Sequence, residues 1–324
     1  MKILRHALCA LLPLLFTAAA HAEPYPSRQI QIITPGAPGG SLDVLLRIIS
    51  EPLAKSLGQP VLIMNKTGAG GLIAVNEAAR ARPDGYTLLF TQAGAVTISP
   101  AMNQLQALSI LRKLQPVTQV STLSVLLTAN ASVPAKNLRE LVQLAKERTQ
   151  RLSYATAGNQ YSLTYLYSLL FSDRAGIKLL FVPYKTSTQA LTDLASGQIN
   201  LMFDASTAQY PEIVSGRVRP LAVFGKTRSA LLPDVPTAAE QGFDVVQGEG
   251  WYGLLAPAGA PAAAVHKINS ALLEILERPE IRARIRQLDM HVSALPPDKF
   301  KTVIEADARR WSKLIADKHI AEGK

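Results

Sequence analysis

Three short glycine-bearing runs hold much of this sequence's capacity for chemistry: Pro38-Gly39-Gly40-Ser41, Gly68-Ala69-Gly70-Gly71 and Ala157-Gly158-Asn159-Gln160. Each follows an apolar, β-branched run and precedes a segment with apolar residues at helical intervals. Glycine at such a junction lets backbone N–H groups come close to a ligand, and a helix N-terminus adds unpaired donors and partial positive charge. Three such junctions on one sheet edge describe a cleft that grips an anion, a carboxylate above all, with charge-assisted bonds and no need of arginine. Folding alone also explains parts of the pattern, with glycine in a tight turn, Ser41 as an N-cap and Asp43 in the first helical turn. Asp204, closing the apolar run INLMF, reads equally as a loop cap or as a ligand-facing hydrogen-bond acceptor. Lys185 reads as a turn residue, and Trp251 and Tyr252 as core or seam residues.

Other chemistry is missing. Gly68 to Ile73 puts Ile73 where a dinucleotide fingerprint needs Gly or Ala, and no P-loop pattern occurs. His266, His291 and His319 show no metal-ligand spacing and read as exposed residues on or beside helices. There is no G-x-S-x-G elbow and no Ser-x-x-Lys pair. Neither a cofactor nor a metal is expected. The enzyme alternative is an exported hydrolase or isomerase using carboxylates far apart in sequence.

The elements that must position these residues alternate. RQIQIIT, a helix from Leu42 to Leu57, QPVLIMN, a helix through GAGGLIAVNEAARA, and YTLLFTQ give strand, helix, strand, helix, strand, which predicts a parallel sheet with right-handed crossovers. A second run starts near Val117 and alternates through VRPLAVFG at 218–225. WYGLLAP and three helices follow it.

Lys2 and Arg5, the apolar run Ala7 to Phe16 and Ala20-His21-Ala22 form an export signal, with cleavage expected after Ala22. The only cysteine, Cys9, lies inside it, so a mature chain has no disulfide, thiolate or cysteine-bound metal. The formal charge of +10 favours anionic partners in general. The basic residues are scattered and no nucleic-acid-binding motif appears, so nucleic acid is not expected.

The run YPSRQIQIITPGAPGGSLDVLLRII resembles the opening of the tripartite tricarboxylate transporter receptor family, the Bug-type solute-binding proteins. LGQPVLIMNKTGAGGLIA, ARPDGYTLLF, YATAGN, FVPYKTSTQALTDLASGQINLMFD, RPLAVFGKTRSALLPDVPTAAEQG and WYGLLAPAGAP follow in family order. The resemblance implies an α/β, two-lobed periplasmic binding protein fold of type II, with two strand crossovers as its hinge, near Ser121–Leu126 and Leu221–Lys226. Residues 1–22 would be the signal, 23–122 with 226–324 one lobe, and 123–225 the other. It implies a non-catalytic receptor that captures a small carboxylate for membrane subunits of a tripartite transporter, or for a sensor domain, and a monomer is expected. Pro38, Gly39, Gly40, Ser41, Gly70, Gln92, Thr156, Gly158, Asn159, Gln160 and Asp204 are the expected ligand-binding residues, with the backbone of Gly39, Gly40, Gly158 and Asn159 donating. The sequence departs from the family pattern at Gln160, Tyr161, Thr164 and Ser168, which is expected to reshape the pocket.

Overall fold

The structure, a computed structural model, describes residues 24–103, 109–110, 112–147, 151–156, 162–184, 186–245, 249–318 and 320. The expected signal with Cys9, the second-lobe loop 157–161, Lys185 and His319 lie outside them.

The opening run folds as expected: β1 (Ile30–Thr34), α1 (Ser41–Leu57), β2 (Val61–Asn65), α2 (Leu72–Arg80) and β3 (Thr87–Gln92). β1 pairs in parallel with both β2 and β3. Buried between two strands and under helices on both faces, it has no solvent side, which is why Ile30, Ile32 and Ile33 are all in the core. Gly58, at φ +68°, closes α1 in the left-handed conformation that side chains disfavour. After β3 the chain takes a π turn at Gly94–Ile98 that runs into α3 (Ser99–Met102).

β4 (Leu114–Leu123) belongs to the same sheet, but its continuation β5 (Val125–Asn130) belongs to another. The second sheet is filled by β6 (Ser153–Thr156), β7 (Leu180–Phe181), β8 (Leu201–Asp204) and β9 (Val218–Phe224), in the order β7-β6-β8-β5-β9. Its helices are α4 (Leu138–Glu147), α5 (Leu163–Ala175), α6 (Ser187–Ser196) and α7 (Ser206–Val214). Phe171, Phe203 and Phe224 meet edge-on or tilted in its core at centroid spacings of 5.4 to 6.4 Å. β10 (Gly250–Pro257) then returns to the first sheet, followed by α8 (Ala262–Glu277), α9 (Pro279–Gln287), β11 (Met290–Leu295) and α10 (Pro297–Asp317).

The first sheet has the order β11-β4-β10-β3-β1-β2 and is mixed: the opening three strands are parallel as expected, and antiparallel strands are added beside them. β10 enters between β3 and β4 antiparallel to both, because the chain comes back from the second sheet travelling the other way. β11, at the edge, is also antiparallel, and it carries His291, which was expected on or beside a helix.

The two sheets join where Ser124 passes Gly225. A Cβ on Gly225 would overlap the Ser124 hydroxyl, so glycine is what permits the close crossing. Beyond Gly225 the chain stays with the second sheet for some distance. Thr237 bridges to Val223, Leu232 and Val235 pack on Leu126 and Val223, and Ala238 and Phe243 pack in the second core. α10 spans both halves: Phe300 and Ile304 pack under the first sheet, Trp311 and Ile315 in the second core. Trp311 meets Tyr167 edge-on at 6.2 Å, and Lys318 pairs with Asp173 at 2.7 Å.

Two of the motifs recognised in the sequence are a clasp. The Tyr25 hydroxyl donates to the Gly85 carbonyl at 2.6 Å, Arg28 pairs with Asp84 at 2.9 Å, and the Arg28 guanidinium lies over the Tyr86 ring. This fastens the start of the described chain to the turn before β3.

Gly253 on β10 lies against the Phe300 ring, where a Cβ would overlap the aromatic edge and sit 3.0 Å from the Thr118 carbonyl. Gly253→Ala is therefore expected to destabilise the fold by about 1 to 3 kcal/mol through overpacking. Adding Phe300→Leu should recover part of that loss, as urea unfolding of the two variants would show.

Candidate functional site

At the carboxyl end of β1, the loop into α1 is held from below by one carboxylate. Asp43 is 1% exposed, and its oxygens accept from the Gly39 amide (2.9 Å), Arg47 Nε (2.8 Å) and Nη2 (3.2 Å), and Asn65 Nδ2 (2.9 Å). Asn65 also donates to the Gly36 carbonyl at 2.8 Å, so β2 is tied into the same loop. Burial alone would raise the Asp43 pKa, but the bonds from Arg47, Asn65 and Gly39 outweigh it and hold the group at about 2.

This changes which donors the loop offers. Pro38, Gly39 and Gly40 are exposed, but the Gly39 amide is taken by Asp43 and the Gly40 amide donates to the Ala37 carbonyl at 3.0 Å. Gly40, not Ser41, is the N-cap, and Ser41 is the first helical residue. The first intrahelical bond runs from Val44 to Gly40 at 2.9 Å. The amides of Ser41 and Leu42 lie ahead of it and have no acceptor within the helix.

The second glycine run turns tightly beside the π segment. Gly70 has φ +62° and its carbonyl accepts from Ser99 Oγ at 2.8 Å. Gly71 has φ +95°, and a Cβ there would come within 2.5 Å of Ala95. Packing accounts for that glycine. The π turn itself lies at the carboxyl end of β3, where sequence periodicity gave no sign of it, and single π turns are frequent at functional sites. Gln92, the last residue of β3, is exposed and stands opposite Tyr252 in the register of β3 and β10.

In the second half, Thr156 ends β6 and Asp204 ends β8, side by side at the carboxyl edge of two parallel strands. Both are buried. Thr156 leads into residues 157–161, so Gly158, Asn159 and Gln160 lie outside the described residues. Asp204 Oδ1 accepts the Ala205 amide at 2.6 Å, while buried Oδ2 has no hydrogen-bond partner among the described residues. Burial pushes the Asp204 carboxyl up to about 6, against the Ala205 amide and the nearby Ser187 hydroxyl, which favour the charged form. Gln209 completes the turn: it accepts from Thr128 and donates to the carbonyls of Leu126 and Asp204, each at 3.2 Å.

The two edges face each other across the Ser124–Gly225 crossing. Tyr252, on the first sheet, is buried, and the nearby Asp204 charge adds to that burial in raising its phenol pKa. Gln92, Tyr252, Thr156 and Asp204 thus occupy the facing strand edges, with the α1 N-terminus on the first of them. Among the described residues no three His, Asp or Glu side chains are grouped as a metal would require. A separate groove of about 610 Å³, lined by Gln31, Ile33, Ile73, Glu77, Arg80 and Thr87 among others, lies between α2 and the β1–β3 part of the first sheet.

The sequence profile described as "Tripartite tricarboxylate transporter family receptor" matches residues 45–320. The chain belongs to that family. Three solved structures show the same relation. One described as a periplasmic transporter is 33% identical with a TM-score of 0.81, covering 91% of this chain and 98% of its own. MatC from Rhodopseudomonas palustris, with bound malate, is 30% identical with a TM-score of 0.77, covering 90% of this chain and 100% of its own. A second R. palustris protein, with adipate, is 28% identical with a TM-score of 0.81, covering 90% and 97%. The two-lobed α/β architecture of a periplasmic binding protein is therefore shared over nearly the whole described chain.

Members of this receptor family are periplasmic solute-binding proteins, and no described helix here is long and apolar enough to cross a membrane. The departures from the family pattern at the start of α5 have local partners. The Ser162 and Thr164 hydroxyls are 2.9 Å apart, and buried Ser168 donates to the Tyr165 carbonyl at 2.7 Å.

Asp204 makes stability depend on pH in a readable way. Its folded pKa is raised, so its favourable contribution is complete below about 4 and is lost as pH rises through 6. The stability of Asp204→Asn relative to the parent should increase by about 3 kcal/mol between pH 4 and pH 7.5, as denaturant unfolding at several pH values would measure. A difference that is flat with pH would mean the carboxyl is solvated.

Proposed function

We propose that this chain is an exported, non-catalytic receptor that closes two lobes over a small carboxylate and delivers it to the membrane subunits of a tripartite transporter. The observation that carries this is the opposition of the α1 N-terminus and the buried Asp204 turn on facing strand edges. The malate and adipate held by the two R. palustris relatives support a dicarboxylate as the ligand class.

In this proposal the signal is removed after Ala22, and the mature protein works in the periplasm as a monomer. Lobe one comprises residues 24–123 and 249 onward, lobe two residues 125–245, with α10 laid across both. The 226–245 segment is given to lobe two because it packs there.

One ligand carboxylate sits against the amides of Ser41 and Leu42, where the helix leaves donors unpaired. Pro38, Gly39, Gly40 and Gly70 shape that wall, and Gln92 contributes a side-chain contact. Thr156, Gly158, Asn159 and Gln160 receive the other end from lobe two. Asp204 accepts from a hydroxyl or amino group on the ligand, and this gives the pocket a preference for substituted dicarboxylates. Closure is a hinge motion stabilised by a ligand that touches both lobes at once.

Thermal-shift and calorimetric titrations with malate, succinate, adipate, tricarboxylates, amino acids and neutral sugars test this reading. A ligand at about 100 times its Kd should stabilise the fold by about 2.7 kcal/mol. Malate should bind more tightly than succinate, and Asp204→Ala should remove that preference while retaining succinate binding. Stabilisation by neutral sugars alone would overturn the cleft assignment. Recovery of chemically unchanged malate after long incubation distinguishes a receptor from an enzyme.

A further inference from the structure

Asp289 occupies the corner between α9 and β11, on the first sheet, yet its carboxylate bonds to the other half of the molecule. Oδ2 accepts from the hydroxyls of Ser206 and of Ser229, the latter at 2.7 Å. Oδ1 accepts the amides of Ala230 at 2.8 Å and Leu231 at 3.3 Å. Asp289, Ser206 and Ser229 are buried, at 6%, 4% and 4% exposure. The Ser229 hydroxyl oxygen also accepts the amides of Leu231 and Leu232, which makes the 229–232 turn a compact unit.

The location ties these bonds to the hinge. Met290, the next residue, pairs with Leu123, the last residue of β4 before the crossing at Ser124. His291 follows opposite Thr122, with its Nε2 3.4 Å from Thr227 Oγ1 just beyond the second crossing. On the other side, Ser206 opens α7 two residues after Asp204, and Leu232 packs on Leu126 and Val223. One carboxylate therefore joins the lobe-one corner to the turn that carries Asp204 and to the segment that leaves β9.

The residue type fits this task. Asp289 has φ +52°, a left-handed conformation in which Gly and Asn are at ease, so the backbone does not call for aspartate. The four donors do. An asparagine has one acceptor oxygen, and its NH2 would face a hydroxyl or amide donor.

Building on the receptor reading above, we propose that Asp289 is a positioning residue for ligand capture. It clamps the α7 N-terminus and the 229–232 turn to β11, and so sets both the angle between the lobes and the placement of Asp204. It touches no ligand. When the clamp is broken, the second lobe is free to shift about the Ser124–Gly225 crossing, and Asp204 moves out of register with Tyr252.

The test uses the mature chain, which has no native cysteine, with spin labels at Lys55→Cys on α1 and Lys146→Cys on α4. Distance distributions between the labels are recorded without ligand, and malate affinity is measured by calorimetry on unlabelled protein. Ser206→Ala and Asp289→Asn should each shift or broaden the ligand-free distribution and weaken malate binding by about tenfold, the size of a positional coupling. Ser206→Thr, which keeps the hydroxyl, should restore both. If the variants lower the unfolding temperature but leave the distribution and the affinity at parental values, Asp289 is a structural anchor and the proposal falls. If Asp289→Asn does not fold, Ser206→Ala decides the matter by the same two readouts. Should the parent bind no malate or other carboxylate, the receptor reading fails, while an altered distance distribution still establishes the clamp and an unaltered one removes it.

Discussion

Two stretches of backbone, Leu123-Ser124-Val125 and Phe224-Gly225, pass each other at van der Waals range, and each carries the chain out of one sheet. Any side chain at residue 225 would push them apart. Because they are continuous with β4 and β9, they also fix which strand ends face which. β4, β3 and β10 present one rim to the seam, and β6 and β8 present the other. The cleft is thus a product of topology before any side chain is chosen, in line with the rule that α/β sheets bind ligands beyond the carboxyl ends of their strands. The Asp289 bonds and the α10 packing lie beside this crossing and limit the ways in which the halves can move about it.

Two buried aspartates on the opposing rims illustrate how environment divides one chemistry into two tasks. Asp43 is surrounded by donors and held near a pKa of 2, so it is a fixed anion that shapes a loop. Its bonds occupy the amide of Gly39, and the donors left over belong to the first turn of α1. Asp204 is equally hidden but has one oxygen without a hydrogen-bond partner among the described residues, and burial raises it to about 6. A buried polar atom left open is costly to folding unless something else satisfies it. That cost is the physical ground for proposing a ligand contact at Asp204.

Much of this was legible in the residues. The alternation of β-branched runs with helical apolar spacing placed β1 to β3 and the helices between them, since burial on both faces or on one stripe leaves a direct mark on composition. Strand direction left no such mark: WYGLLAP reads the same in a parallel or an antiparallel sheet, and only the path of the chain makes β10 antiparallel. α7 and β11 escaped notice because STAQYPEIV contains an internal proline and MHVSAL mixes small and polar residues, so neither shows a clean period. Asp43 is legible as an acid in the first helical turn, but its hold on Gly39 depends on a fold-back of the loop that spacing does not disclose. Ser206 and Asp289 lie 83 positions apart, and nothing in either neighbourhood announces the other. The glycine run 68–71 was legible as a tight turn, yet its closeness to Ala95 is a matter of packing between elements.

The insertion of β10 between β3 and β4 has a consequence for how the protein is made. The first sheet has its centre supplied by residues 250–257, and its edge and covering helices by the residues after them. Until that last quarter of the chain has been synthesised, β3 and β4 have no strand between them, and Trp251 and Phe300 are not there to fill the space beneath. A nascent chain therefore carries the opening βαβ units without a finished domain, since their apolar faces gain cover only from segments still to come. For a protein proposed to leave the cytoplasm, this order of synthesis leaves the first sheet open between β3 and β4 until residues 250–257 have been made.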